Sequence, residues 1–513
     1  MTGGVTTPKR LGQATSLTDT AFGGLAWQFG STVGKGVLQV VTLAILARLV
    51  TPEEFGIVGA ALIVVGLSAI FSQFGVGPAL VHLEPLRSAH IRAAFGITLV
   101  LSLSTTLAVW TSAPVIAGFF AMHDLSVVLR ALSLSFLFAG LGVIPESLLQ
   151  RELRFRALAV VDLASFALGY GALSVLLASM GYGVWALVGG HLGSTICRTC
   201  ALLICRRHPA MPPWPLSAGS DLVRYGFGFT LTTLGNYAAL QGDNVIVGRV
   251  LGAGPLGIYG RAYQLLVTPA SIFGRVLDRV LFPTLASVQG DQAKLSVAYT
   301  RSIGLVATCT LPASVLVIVL ANEGVRALLG PDWISVVLPL QILTLGLVCR
   351  TSYKISDSLV RATGAVYRSA WRQWAYAVLT VVGAIVGSRW GVPGVAAGTL
   401  TAIVVKFILM LRLSQSITGA RTEHLIRAHI PGLRLSLATG IVAGSTAVLL
   451  RSLEAPPVVT MVAVGAAIGL VVRSWLLVRW PWYFLGEEGV WLLRTAHRNL
   501  PSSIARLVLP PCV

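Results

Sequence analysis

The sequence predicts an all-α integral membrane protein of fourteen transmembrane helices: two pseudo-symmetric six-helix lobes plus two C-terminal helices. Three observations lead there. The 513 residues are 55% apolar and only 11% charged, whereas about a quarter of a soluble domain is charged. Windows of roughly 20 apolar residues, long enough to cross a bilayer as helices, begin near residues 22, 56, 93, 126, 157, 183, 222, 255, 296, 334, 366, 391, 431 and 457. Finally, one loop occurs twice, 201 residues apart: Ala47-Arg48-Leu49-Val50-Thr51-Pro52-Glu53-Glu54-Phe55-Gly56-Ile57-Val58-Gly59 aligns without a gap on Gly248-Arg249-Val250-Leu251-Gly252-Ala253-Gly254-Pro255-Leu256-Gly257-Ile258-Tyr259-Gly260. Such self-similarity between halves of a membrane protein points to a transporter with its substrate path between related parts.

In chain order, residues 1–21 are Thr/Ser/Gly-rich, carry Lys9 and Arg10, and lack the apolar core of a signal peptide, so they read as a cytoplasmic tail. Residues 22–205 hold spans 1 to 6. Residues 206–221, with Arg206-Arg207-His208-Pro209 and Met211-Pro212-Pro213-Trp214-Pro215, read as a linker. Spans 7 to 12 fill residues 222–415 and echo the first six. Pro78-Ala79-Leu80 returns as Pro283-Thr284-Leu285, offset by 205, and Gly183-Val184 with Gly190 returns as Gly391-Val392 with Gly398, offset by 208. Six spans separate equivalent points, an even number, so the two copies enter the membrane in the same sense and form a parallel repeat. Spans 13 and 14, in residues 431–478, have no counterpart. Residues 479–513 open with Trp480, Trp482, Tyr483 and Phe484, an interfacial belt, and continue as an amphipathic stretch from Glu487 to Asn499 suited to anchoring on the inner leaflet.

The formal net charge of +19 invites a nucleic-acid reading, but its distribution excludes it. With the N-terminus inside, 27 of the 38 Lys and Arg fall on the cytoplasmic side and 7 on the other, while Lys35, Arg350, Lys354 and Lys406 lie within spans. The positive-inside rule then places both termini in the cytoplasm. The sequence has no Walker A loop, no nucleophile elbow and no zinc-protease helix, so it points to no enzyme, cofactor or metal. Cys197-x-x-Cys200 lacks a second ligand pair, and its cysteines read as small hydrophobes.

Ionisable residues at mid-span cost roughly 2.5–3.5 kcal/mol each on insertion scales, so their placement carries the functional argument. On span 1, Gln28, Lys35, Gln39 and Thr42 fall within about 40° of one line at 100° per residue. The 201-residue offset maps Lys35 onto Asn236 and Thr42 onto Asp243, which has Asn244 beside it. On span 10, Arg350, Lys354, Asp357 and Arg361 share one face with a surplus of positive charge. These residues are expected to line a cationic, water-filled cavity for an anionic substrate. Arg261 is expected to help receive an anionic group at the outer mouth. Arg48 and Arg249 read more simply as loop-capping interface residues. Asp162, with Ser165 and Gly169 on the same side of span 5, and Asp243 are the candidates for binding a coupling proton or cation.

Trp27-Gln28-Phe29-Gly30 through Ala47-Arg48-Leu49-Val50-Thr51-Pro52-Glu53-Glu54-Phe55-Gly56, together with Gln150-Arg151-Glu152-Leu153-Arg154-Phe155-Arg156, resembles the polysaccharide flippases of the multidrug/oligosaccharidyl-lipid/polysaccharide exporter superfamily, most of all the colanic acid and xanthan type. The resemblance covers residues 20 to 480. It implies a V-shaped, two-lobed, alternating-access fold in a bacterial inner membrane. The implied substrate is an undecaprenyl-diphosphate-linked oligosaccharide, moved from the inner to the outer leaflet, with Lys35 among the cations that hold the diphosphate. Polysaccharide polymerase or export machinery are the implied partners. The rivals are a lipid II flippase of the same superfamily, a drug/cation antiporter, for which the cavity charge has the wrong sign, and a membrane polymerase or ligase, for which no extracytoplasmic loop is large enough.

Overall fold

A computed structural model describes residues 14–83, 86–207, 230, 233–471 and 483–484. The expected linker from residue 208 onward and the C-terminal amphipathic stretch lie outside the described residues. The described residues are almost entirely helical and contain no strand. This is what a bilayer demands of a chain whose backbone polar groups must pair within each segment.

The stretch expected from the sequence as the first repeat copy runs through α1 (Ala14–Leu46), α2 (Pro52–Gln73), α3 (Val76–His82), α4 (Ser88–Phe120), α5 (Leu125–Ser133), α6 (Ser135–Arg151), α7 (Phe155–Ser165), a π-helical turn (Phe166–Ala172), α8 (Leu173–Ser179) and α9 (Val184–Cys205). The second holds α10 (233–246), a π-helical turn (Val247–Leu251), α11 (Ala253–Ser287), α12 (Gln292–Val319), α13 (Ala321–Leu328), α14 (Val337–Leu345), α15 (Leu347–Ala362), α16 (Val366–Gly387) and α17 (Gly391–Thr418). α18 (Thr422–Ser452) and α19 (Pro457–Val471) follow. α1 starts ahead of the expected residue 22, because a helix continues into water beyond the apolar stretch that inserts it. Among the described residues, eight stretches are long and apolar enough to span a membrane, or nine when α14 and α15, bent by 46°, count as one. One of the eight, Tyr367–Thr418, is a hairpin. In it Gly383 packs on Gly398 and Gly387 on Gly394, backbone against backbone, so α16 and α17 run antiparallel with no side chain between them.

Local sequence explains where α2 begins. Thr51 accepts from the Glu54 backbone N–H at 3.3 Å, and the Glu54 carboxylate accepts from the Thr51 N–H at 2.8 Å, a capping box with Pro52 at the first helical position. α2 ends where Phe74 and Gly75 both adopt left-handed backbone, at φ 41° and 64°. At the expected cytoplasmic end, Arg151 donates to the carbonyls of Leu80, Val81 and Leu83, satisfying the end of α3.

The duplicated loop turns out to be where the two copies meet. A Cβ on Gly56 of α2 would stand 1.8 Å from the Ala253 carbonyl oxygen of α11, and a Cβ on Gly257 of α11 would stand 1.9 Å from the Pro52 carbonyl oxygen of α2. Gly56 and Gly257 are repeat equivalents, as are Pro52 and Ala253. The contact is therefore reciprocal, each copy offering its glycine to the other's helix start, and a local two-fold axis passes between α2 and α11. Around it the Trp333 indole N–H donates to the Ala47 carbonyl at 2.7 Å and its ring meets Phe55 edge-on at 5.3 Å. Arg48 donates to the Ala327 carbonyl at 2.8 Å. At the same end of the bundle Arg451 of α18 pairs in a fork with the buried Glu323 of α13, at 2.6 and 2.9 Å.

Candidate functional site

The span 10 residues divide by depth. Arg350, one turn past the bend at Gly346, is 5% exposed, its guanidinium 4.9 Å from the centre of the Tyr263 ring on α11. One terminal nitrogen, Nη1, is buried with no hydrogen-bond partner among the described residues. Lys354 and Arg361 are exposed and Asp357 is half-buried, and Arg361 donates to the Ser358 hydroxyl at 3.1 Å. Helical spacing fixed the shared face but not the cover over it. At this end of the stripe α11 packs over Arg350, while Lys354 and Arg361 stay open.

Asp243 is likewise buried, at 2% exposed, inside the second copy. The Tyr259 hydroxyl of α11 donates to its carboxylate at 2.7 Å and the Asn244 backbone N–H at 2.9 Å, with the Thr399 hydroxyl of α17 at 3.5 Å. Thr42, its repeat equivalent, is 3% exposed and faces Gly171 in the π-helical turn of the first copy. The C-terminal ends of the two expected stripes are thus packed within their own copies. Their other members are more open. Lys35 is half-buried, its ammonium 5.8 Å above the Phe166 ring, Gln39 is half-buried, and Asn236 is exposed. The Gln28 side chain lies outside the described residues.

Lys406, the fourth cation within a span, joins the cluster. It is 4% exposed on α17, with its ammonium 4.2 Å and 4.6 Å from the ring centres of Tyr353 and Tyr376, and it donates to the Gln373 side-chain oxygen at 2.8 Å. Helices α10, α11, α15, α16 and α17 so converge on one buried polar cluster. In the sequence, a lone lysine within an apolar run signals a partner without naming it.

In the first copy Asp162 is held by Arg198 of α9. The Arg198 Nε donates to Asp162 at 2.8 Å while its two terminal nitrogens grip Glu146 of α6 at 3.0 and 2.8 Å. In the structure Arg198 ties α6, α7 and α9 together. Arg261 lies 4.6 Å over the Phe55 ring of the other copy, bonded to Gln264, one turn below the glycine contact. Arg249 lies over Phe119 at 5.5 Å. Among the described residues, no three His, Cys, Asp or Glu side chains gather as a metal site.

This set of apolar helices carrying buried cations finds a match among known proteins. Residues 45–338 fit the model of the "Polysaccharide biosynthesis protein" family, more than half of the chain. The chain belongs to that family. It is 24% identical over 444 residues to the lipopolysaccharide biosynthesis protein WzxC of Escherichia coli (strain K12), covering 85% of this chain and 89% of that one. It is 29% identical over 309 residues to the succinoglycan biosynthesis transport protein ExoT of Rhizobium meliloti (strain 1021), covering 60% of this chain and 62% of that one. Among solved structures it matches the lipid II flippase MurJ in an inward closed conformation, with a TM-score of 0.70 at 15% identity, over 86% of this chain and 98% of that one. The chain is a multi-pass membrane protein with the MurJ fold, and its relatives serve polysaccharide biosynthesis and transport.

Proposed function

We propose that the protein flips undecaprenyl-diphosphate-linked oligosaccharide repeat units from the cytoplasmic to the periplasmic leaflet by alternating access, feeding exopolysaccharide or lipopolysaccharide assembly in a bacterial inner membrane. The observation that carries this reading is the surplus of cations within the membrane of a polysaccharide-family protein: Lys35, Arg350, Lys354 and Lys406 against Asp162, Asp243 and Asp357, with Arg361 at the cytoplasmic end of the same stripe. The diphosphate is held by charge-assisted hydrogen bonds from Lys35, Lys354 and Arg361, with Gln28, Gln39 and Asn236 beside them. Arg350 supports this wall from behind, and Arg261 receives the headgroup near the outer closure. Asp162 and Asp243 are the proposed coupling carboxylates.

In this reading the chain makes fourteen spans, with lobes of residues 22–205 and 222–415 and both termini in the cytoplasm. The glycine contact closes the periplasmic side, and the lipid tail stays in the bilayer while sugars cross between the lobes. Polymerase or export machinery takes up the product.

The test is complementation of a deletion strain. Wild type restores polymer export, Lys35→Ala and Lys354→Ala do not, and lipid-linked repeat units accumulate on the inner leaflet of the deletion. Full export by both variants overturns the cationic site. Rescue of peptidoglycan synthesis, in place of polymer export, selects the lipid II reading that the shared fold favours.

A further inference from the structure

We propose that Lys406 and Gln373 are positioning residues that turn the exposed end of Asn236 into a hydrogen-bond donor for the phosphate oxygens of the substrate, an inference that rests on the reading above. An ammonium has three donors and no acceptor. Buried against Tyr353 and Tyr376, the Lys406 ammonium satisfies itself on the Gln373 side-chain oxygen at 2.8 Å. That contact fixes which way the Gln373 amide faces. A glutamine amide turned by 180° has almost the same shape, so only its hydrogen bonds select between the two, and a donor-only neighbour permits one.

With its oxygen committed, Gln373 presents its NH2 group on the other side, where it donates to the Asn236 oxygen at 3.5 Å. Asn236 repeats the logic: its oxygen faces α16, which leaves its two N–H donors on the exposed end. An ionised diphosphate offers only acceptors, so this polarity suits it and the opposite one repels it.

The location fits the role. Asn236 stands between two fixed neighbours on α10: Gly235 lies against the Trp374 ring of α16, where a Cβ would meet it at 3.3 Å, and the Tyr237 hydroxyl donates to the Ile63 carbonyl of α2 at 2.7 Å. That second bond crosses between the repeat copies, so Asn236 is exposed beside the seam through which a substrate moving between the copies passes. A purely structural Lys406 needs its tyrosine rings and some oxygen, but has no need of a second amide aimed at the surface.

The experiment measures binding of undecaprenyl diphosphate, with undecaprenol as the control lacking phosphate, to the full chain in lipid nanodiscs. Gln373→Glu keeps a partner for Lys406 but cannot donate to Asn236, whose amide then turns its N–H donors inward and its oxygen outward. Binding weakens about tenfold, the loss of roughly one charge-assisted hydrogen bond, while the thermal unfolding midpoint holds. Lys406→Met weakens binding similarly and Lys406→Arg, also donor-only, restores it. Asn236→Asp weakens it further. In export assays the Gln373→Glu defect lies in apparent KM and not in kcat. Wild-type affinity in Gln373→Glu, with Asn236→Ala impaired, overturns the relay and leaves the flippase reading standing. A wild-type protein that binds undecaprenyl diphosphate no better than undecaprenol overturns the flippase reading itself, and the inference with it.

Discussion

The first repeat copy holds its best-defined charges as a partly open triad, with Arg198, Glu146 and Asp162 exposed at 35%, 28% and 40% of their side chains. The second buries Asp243, Arg350 and Lys406 to 5% or less and surrounds them with tyrosines. Yet the copies meet through the same two repeat positions used twice, Gly56 on Ala253 and Gly257 on Pro52. Duplication therefore kept the backbone contact and let the polar interiors diverge. Close packing at the axis leaves no freedom for drift, while a polar cluster inside one copy can change as long as every member finds a partner.

The largest effect is expected at the shared contact. Gly56→Ala and Gly257→Ala each force a methyl into a carbonyl, an overpacking cost of about 1–3 kcal/mol, and export in a complemented deletion strain is lost in both. A variant pair in which one alanine is silent breaks the two-fold relation. Next comes Arg198→Ala, which strands two carboxylates. A buried pair broken this way costs about 3–5 kcal/mol, and partial exposure reduces that here to about 1–2 kcal/mol, read as a lower unfolding midpoint. Removing the carboxylates as well, in Arg198→Ala/Glu146→Gln/Asp162→Asn, recovers much of it.

In the second copy, Asp243→Ala leaves the Tyr259 hydroxyl with Thr399 alone and costs about 1–3 kcal/mol. Equal losses for Asp243→Ala and the Thr42→Ala variant at the equivalent position would erase the contrast between the copies. The smallest difference is at the starts of α4 and α12. There the His90 ring accepts from the Arg87 N–H at 3.1 Å, whereas the Asp291 carboxylate accepts from Ala293 and Lys294, each at 3.1 Å. The Lys294 backbone N–H, then its side chain, hold the Asp291 carboxyl below its usual range. Its contribution is therefore present above the ordinary carboxylate pKa and is lost as pH falls through the lowered folded value. Asp291→Asn flattens that acid limb of a pH–stability curve and leaves neutral pH nearly unchanged.

Much of this was legible in the chain. Helix starts near residues 56, 126, 157, 183, 255, 366, 391 and 457 agree with α2, α5, α7, α9, α11, α16, α17 and α19 to within a few residues, because long apolar runs ended by Gly, Pro or charge leave little choice in a bilayer. The duplicated loop was legible too, though not that its glycines touch, since a repeat offset carries no distance. Burial was hidden. Arg350 and Lys354 share a face by spacing, yet only the turn nearer the bend is roofed by Tyr263. Lys406 and Gln373 stand 33 residues apart on the two arms of a hairpin, and Arg198 reaches Glu146 from 52 residues away. No local pattern announces such meetings.

The reciprocal glycine contact also says something about descent. A half-length ancestor with this loop would present the same glycine and the same helix start on one surface, and two parallel copies in a membrane could dock by exchanging them, as in any isologous dimer. Fusion of the two genes would then have required no new interface. It would also have freed each side to mutate separately, so that what had to be a symmetric pair of protomers could become an ion-paired, partly open half beside a tyrosine-lined, deeply buried one.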